Sequence, residues 1–329
     1  MSETAAALLV TDLVGSTALA ETLGDARVAE VFAAHDDRAR DLLVAHDGRE
    51  IDKTDGFLLL FDDPVAAARY ALDYHAALAA LSDALGVILE ARAGLHVGSV
   101  VLRTNPEEQV RRGAKALEVE GVAKPTCARV MSVARGGQTL ATPEAVAALG
   151  VDGLETRSHG HFRLKGVAEP IELFEVGAGD RWLEPPADTP KVHRVVREES
   201  GGWRPARDIP AELPSSAGRF FGRSEQLSTI AELLEAGRPL VTITGDPGSG
   251  RTRLATRYAR SWLGSWPGGA RLLGPEDVDS IVAADGRLII LDDATADAAD
   301  VACRVVQGRG AVLATARRPL GVPGEAVVH

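Results

Sequence analysis

The stretch "GREIDKTDGFLLLFDD", residues 48–63, decides how this chain is wired. Two strand-like runs, "GREIDKT" and "FLLLFDD", are separated only by Asp55 and Gly56, the residues of a tight hairpin turn. The pair is therefore expected to be antiparallel within a sheet. Upstream lie a strand-like "ALLVTDL" and a helix-like "ARVAEVFAAHDDRARDLLVAH"; downstream lie a helix-like "DPVAAARYALDYHAALAAL" and a strand-like "EARAGLHVGSVVLR". The order β-α-β-β-α-β predicts a ferredoxin-like α/β core. The helix-like "VAKPTCARVMSVA", the strand-like "GQTLAT" and the two short strands of "RSHGHFRLKGVAEPIELFEV" extend it.

The whole chain has 329 residues, 45% hydrophobic and 25% charged, a globular composition long enough for two domains. We expect a first domain at 1–177, a linker rich in Pro, Gly and charge at 178–218, with a hairpin about Gly201-Gly202, and a second domain at 219–329. A formal charge of -11 disfavours nucleic acid and anionic lipid as partners. Cys127 and Cys303 stand far apart, without disulfide or zinc spacing. With no leader and no apolar run of spanning length, the expected location is cytoplasmic, with no membrane partner.

The first chemical signal is "TDLVGST", Thr11–Thr17. Asp12 falls where an apolar strand ends and Asp55 lies in the hairpin turn, so two hard carboxylate ligands come to one sheet edge. That donor type suits Mg²⁺ with substrate phosphates. Gly15, Ser16 and Thr17 open a helix whose backbone N–H groups suit the phosphates themselves. The competing reading takes Asp-Gly as a turn chosen for its conformation alone and Ser16 as a helix cap.

Taken in order, "LLVTDLVGST", "KTDGFLLLF", "AGLHVGSV", "VAKPTCARV", "GGQTLAT" and "FRLKGVAEPIELFEV" make the chain resemble the catalytic domain of class III nucleotidyl cyclases over about residues 5–177. The resemblance implies that Asp12 and Asp55 bind two ions, Mg²⁺ or Mn²⁺, with help from the main chain near Leu13. It also implies attack of the 3′-hydroxyl on the α-phosphate, a transition-state arginine at Arg129 and a phosphate-binding lysine at Lys165. ATP is the implied substrate, and a homodimer through this domain the implied active form. Three positions depart from the pattern. The family's ribose-orienting asparagine falls on Pro125, its purine-reading aspartate on Glu118, and its purine-reading lysine on Ile51, with Lys53 nearby as a substitute. These departures motivate the alternative of a non-catalytic nucleotide-binding or dimerisation module.

The second signal is "LVTITGDPGSGRTRLATRYA", in which Gly245, Gly248, Gly250, Arg251 and Thr252 lie between a strand and a helix. Glycines there let the backbone approach phosphates, and Thr252 suits Mg²⁺. "RLIILDDA" adds a strand ending in Asp292 and Asp293. From "RFFGRSEQL" to "ATARRPLGVPGE" the chain resembles the start of STAND-type P-loop ATPases, with Arg251 at the usual lysine and Arg317 at the arginine after the fourth core strand. The expected fold here is a partial P-loop α/β domain lacking a strand and a helix. A third reading makes this half an ATP-driven switch. His159 and His161, two apart on a strand, are expected to share a face as ordinary polar residues, and Arg111, Arg112 and Lys115 to form a solvated basic loop.

Overall fold

A computed structural model describes residues 2–150, 153–178, 182–198, 200–215, 220, 222–281, 286–305 and 310–329. The chain divides into two compact units: residues 1–182 with 186–193, and residues 183–185 with 194–329. The expected boundary at 218–219 lies outside the described residues. Among the described residues no helix is long and apolar enough to cross a membrane.

In the first unit β1 (Ser2–Leu13), α1 (Ser16–Leu23), α2 (Asp25–Ala45), β2 (Arg49–Lys53), β3 (Phe57–Phe61), α3 (Pro64–Leu85) and β4 (Ala91–Thr104) form the ferredoxin-like core. Its strands lie in the order β4-β1-β3-β2, every neighbour antiparallel. Then come α4 (Glu107–Arg111), β5 (Leu117–Glu120), α5 (Ala123–Val133), β6 (Thr139–Ala141), α6 (Pro143–Leu149), β7 (Glu155–Leu164) and β8 (Ile171–Gly177). β6 joins β4 in parallel, β8 and β7 follow antiparallel, and β5 pairs with β4. The sheet is thus mixed.

The apolar run of β1 is continuous because both faces of the sheet are covered. Ala7 and Leu9 join Phe57, Leu59 and Phe61 beneath α2 and α3. Ala6 and Leu8 join Leu58, Leu60 and Ile51 beneath Ala123 and Cys127 of α5. Even-numbered β1 residues therefore face α5, and this places Asp12 on the α5 side.

Three local expectations are corrected. The helix-like run "STALAETLGDARVAEVF", residues 16–32, which reads in sequence as one helix, is broken at Gly24, whose φ of +75° is strained for other residues. The β2–β3 turn has three residues, 54–56, since Lys53 still pairs with Phe57. His159 and His161 are separated by a β-bulge, so alternation no longer puts them on one face. His159 is buried against Glu175, at 2.7 Å.

The hairpin of β9 (Val192–Arg197) and β10 (Trp203–Pro205) turns about Gly201-Gly202, with Val192 and His193 belonging to the first unit and the remainder to the second unit. β11 (Ala211–Glu212), α7 (Ser224–Glu235), β12 (Leu240–Thr244), α8 (Arg251–Ser261), β13 (Gly269–Leu273), β14 (Arg287–Leu291), α9 (Ala296–Val305), β15 (Ala311–Ala316) and β16 (Glu325–Val328) follow. All neighbours are parallel, in the order β11-β13-β14-β15-β12-β16. The expectation of a missing strand is corrected: four residues at 325–328 supply it beside β12, reached from β15 without an intervening helix. The run was too short, and too close to its own turn, to stand out by periodicity.

α5 lies so close to β4 that a Cβ added at Gly94 would meet Met131 N at 2.4 Å and Cys127 O at 2.8 Å. Backbone atoms of a helix cannot step aside as a side-chain tip does. Gly94→Ala is expected to cost about 1–3 kcal/mol, read as a lowered midpoint in urea unfolding; an unchanged midpoint would show that α5 is free to lift.

Candidate functional site

Gly56 creates the site by what it lacks. A Cβ there would lie 2.0 Å from Thr11 O and 2.7 Å from Asp12 Cα, so only glycine lets the hairpin turn sit on the end of β1. Its φ is not in the left-handed region, so close approach rather than turn conformation explains the Asp-Gly pair. Thr11 completes the contact by accepting a hydrogen bond at 3.0 Å from the Phe57 amide. Asp12 and Asp55 are thereby brought side by side.

Ser16 does not cap α1; Gly15, in the left-handed region, holds that position. The Ser16 hydroxyl instead donates to Asp55 Oδ2 at 2.9 Å, and Thr54 donates to Oδ1 at 3.2 Å. Burial raises the proton affinity of the Asp55 carboxyl, but the hydrogen bonds from Ser16, its own amide and Thr54, with Asp12 alongside, outweigh it and hold the group below its ordinary value. Thr17, exposed, is the next residue of α1.

Asp12 faces Arg92, its direct cross-strand partner on β4. Arg92 donates to Asp12 Oδ2 from Nε at 2.7 Å and from Nη2 at 2.6 Å. Its Nη1 donates to Ser132 O of α5 at 3.3 Å. Asp12 and Gly56 line a cavity of about 160 Å³ whose opposite wall is Lys124, Ala128 and Met131 of α5. Two neighbouring carboxylates with polar, hydrogen-bonded surroundings are a hard-oxygen donor set, which fits a divalent cation of the magnesium type. Among the described residues no group of three or more His, Cys, Asp or Glu converges for a metal.

A neighbouring cavity of about 290 Å³ is lined by Ile51, Lys115, Glu118 and, shared with the first, Lys124. Both Glu118 oxygens are anchored: Arg103 donates to Oε2, and Asn105 Nδ2 donates to Oε1 at 2.8 Å. Ile51 occupies a β-bulge, so that Ile51 and Asp52 both turn to the α5 face. Lys115 pairs with Asp52. This hydrogen bond, against the opposing effect of burial, holds the Asp52 carboxyl below its usual value. Lys53 goes to the opposite face, where its ammonium lies 2.7 Å from Asp36 of α2. It does not meet Glu118.

Arg129 and Lys165 lie elsewhere. Arg129 Nη1 donates to Pro125 O at 3.2 Å, and a Cβ on Gly166 would lie 3.5 Å from Arg129 Nη2. Arg129 thus adjoins the turn that carries the exposed Lys165, while neither lines the Asp12 cavity. Pro125 sits in the first turn of α5, where a missing N–H is harmless. Sequence reasoning missed Arg92, Asn105 and Lys124. Only Arg92 had a signal, its register opposite Asp12.

In the second unit Gly245, Gly248 and Gly250 form the loop from β12 into α8, with Gly248 and Gly250 at φ of +80° and +86°. Arg251 folds back, donating from Nη1 to Gly245 O and to Ala316 O, each at 2.6 Å. Thr252 donates to Asp292 Oδ1 at 2.7 Å, and Thr315 donates to the same oxygen at 2.6 Å. Asp293 takes a left-handed φ of +48° with its amide donating to Thr315 Oγ1. The loop, Thr252 and Asp292 therefore converge at the carboxyl ends of parallel strands, with Arg317 following β15 directly.

No family model matches the chain. No curated protein matches it either. Among solved structures it is similar to the guanylyl cyclase Cya2, at 25% identity with a TM-score of 0.47, over 55% of this chain and 96% of that one. It is also similar to adenylate cyclases from Trypanosoma brucei, at 23% identity and 0.49, over 55% and 92%. A third is the adenylyl cyclase CyaB from P. aeruginosa, at 19% identity and 0.49, over 55% and 98%.

The lowered Asp55 carboxyl has a consequence for acid stability. A group whose folded value lies below its unfolded one contributes stability that is full above the ordinary value of 3.8 and is lost as pH falls through the folded value. Asp55→Asn is expected to flatten the acid limb of the unfolding midpoint against pH, with the curves of variant and parent converging at the lowest pH. Parallel curves throughout would remove the hydrogen bonds of Ser16 and Thr54 as the cause.

Proposed function

We propose that the first unit is a nucleotidyl cyclase domain that converts ATP to cyclic AMP and pyrophosphate. The observation that carries this reading is the seating of the Gly56 turn on β1, which sets Asp55 beside Asp12, a residue that lines a cavity walled by α5. Asp12 and Asp55 would hold Mg²⁺ or Mn²⁺, two per site, with main-chain help near Leu13. Such ions supply Lewis-acid stabilisation of the phosphates and lower the pKa of a bound hydroxyl.

The chain's own residues supply the rest. Gly15, Ser16 and Thr17 present a helix start toward phosphate oxygens, with Ser16 holding Asp55 in place. Glu118, fixed by Arg103 and Asn105, offers a carboxylate acceptor to the amino group of adenine. Arg129 and Lys165, adjacent to each other and outside the Asp12 cavity, suit a site completed by a second copy of the chain in a homodimer.

A non-catalytic nucleotide-binding or dimerisation module is the second reading. It is favoured by buried Ile51 and by Lys53 being held on the other face by Asp36. In the second unit we read the Gly245–Thr252 loop with Asp292 and Asp293 as a P-loop nucleotide site of the STAND type. Arg251 is committed to two carbonyls and must release at least one to reach a phosphate, so binding there is weak and hydrolysis absent.

Purified protein with ATP and Mn²⁺ should form cyclic AMP, and Asp12→Asn or Asp55→Asn should lower the rate by roughly two orders of magnitude or more. ATP binding without turnover in the parent protein would favour the second reading. Glu118→Ala should reduce discrimination between ATP and GTP by roughly tenfold, measured as the ratio of kcat/KM values. Unchanged discrimination would place the base elsewhere.

A further inference from the structure

Arg92 is unusual in being held from both ends. Nε and Nη2 grip one oxygen of Asp12, while Nη1 is tied to the Ser132 carbonyl of α5. The guanidinium cannot swing out to solvent without breaking the α5 contact. Both Arg92 contacts fall on the same Asp12 oxygen, Oδ2, and Asp12 lines the cavity. Asp12 and Asp55 are adjacent carboxylates, and Arg92 is the cation directly opposite one of them.

We infer that Arg92 tunes the affinity of the Asp12–Asp55 pair for a divalent cation, keeping Oδ1 as the ligand and opposing the cation with its own fixed charge. This rests on the reading of Asp12 and Asp55 as cation ligands. Coulomb repulsion between a guanidinium and a divalent ion sharing one carboxylate is substantial even with partial solvent screening. Arg92 is then a positioning residue whose charge trades tight cation binding for exchange. Lys124, on the wall of the cavity that Asp12 lines, adds positive potential.

Direct Mn²⁺ binding to the full chain, followed by electron paramagnetic resonance of the free ion or by calorimetry, tests this without measuring turnover. Arg92→Gln removes the charge and keeps a donor. It should bind Mn²⁺ roughly tenfold more tightly than the parent. Arg92→Lys keeps the charge and loses the two-donor grip, so its dissociation constant should stay within about twofold of the parent's. Weaker or unchanged binding by Arg92→Gln overturns the inference. If Arg92→Gln fails to fold, a large loss of affinity in folded Arg92→Lys does the same, because orientation and not charge would then be the function. Asp12→Asn and Asp55→Asn separate the two levels of argument. Binding unaffected by either overturns the cation reading itself, whereas binding lost in both with Arg92→Gln unchanged overturns only the role of Arg92.

Discussion

The absence of a side chain at Gly56 is the constraint on which the first unit's chemistry depends. Sheet pairing alone would bring β1 and β3 to their ordinary spacing, leaving the hairpin turn beyond the last pair. With nothing on Gly56, the turn folds onto Thr11 and Asp12, and Thr11 fixes it through the Phe57 amide. Two carboxylates 43 positions apart then become neighbours. Ser16 reaches the same place only because β1 ends there and α1 begins.

The two sides of the sheet divide the labour. Beneath α2 and α3 lies the larger apolar cluster, including Tyr70 and Tyr74, which anchors the core. Beneath α5 the apolar cluster is smaller and the strand ends carry Asp12, Asp52 and Arg92. Gly94 draws α5 down onto β4, so that Lys124, Ala128 and Met131 wall the cavity while Arg129, on another side of the helix, adjoins the Gly166 turn. Helical spacing thus sends neighbouring residues to separate places.

The α/β class, the antiparallel hairpin and the ferredoxin-like order were legible because each rests on local periodicity and turn residues. Asp12 and Asp55 could be placed together once the strands were taken as neighbours. What sequence did not yield was set by distant partners. Arg92 meets Asp12 across 80 positions, through register alone. Lys53 is diverted by Asp36 and by a bulge that no pattern in "GREIDK" announces. Gly24 was overlooked because a single glycine within an apolar-periodic run resembles a tolerated one, and β16 because four residues are too few to carry a period.

The bulge at Ile51 also bears on how such a chain changes over generations. Glu50 and Asp52 are paired with adjacent residues of β3, so position 51 is the extra residue and its identity does not set the register on either side. A substitution at 51 therefore leaves the pairing alone but replaces a buried side chain of the cluster under α5 that also walls the Glu118 cavity. A basic residue there exchanges core packing for a cation facing Glu118.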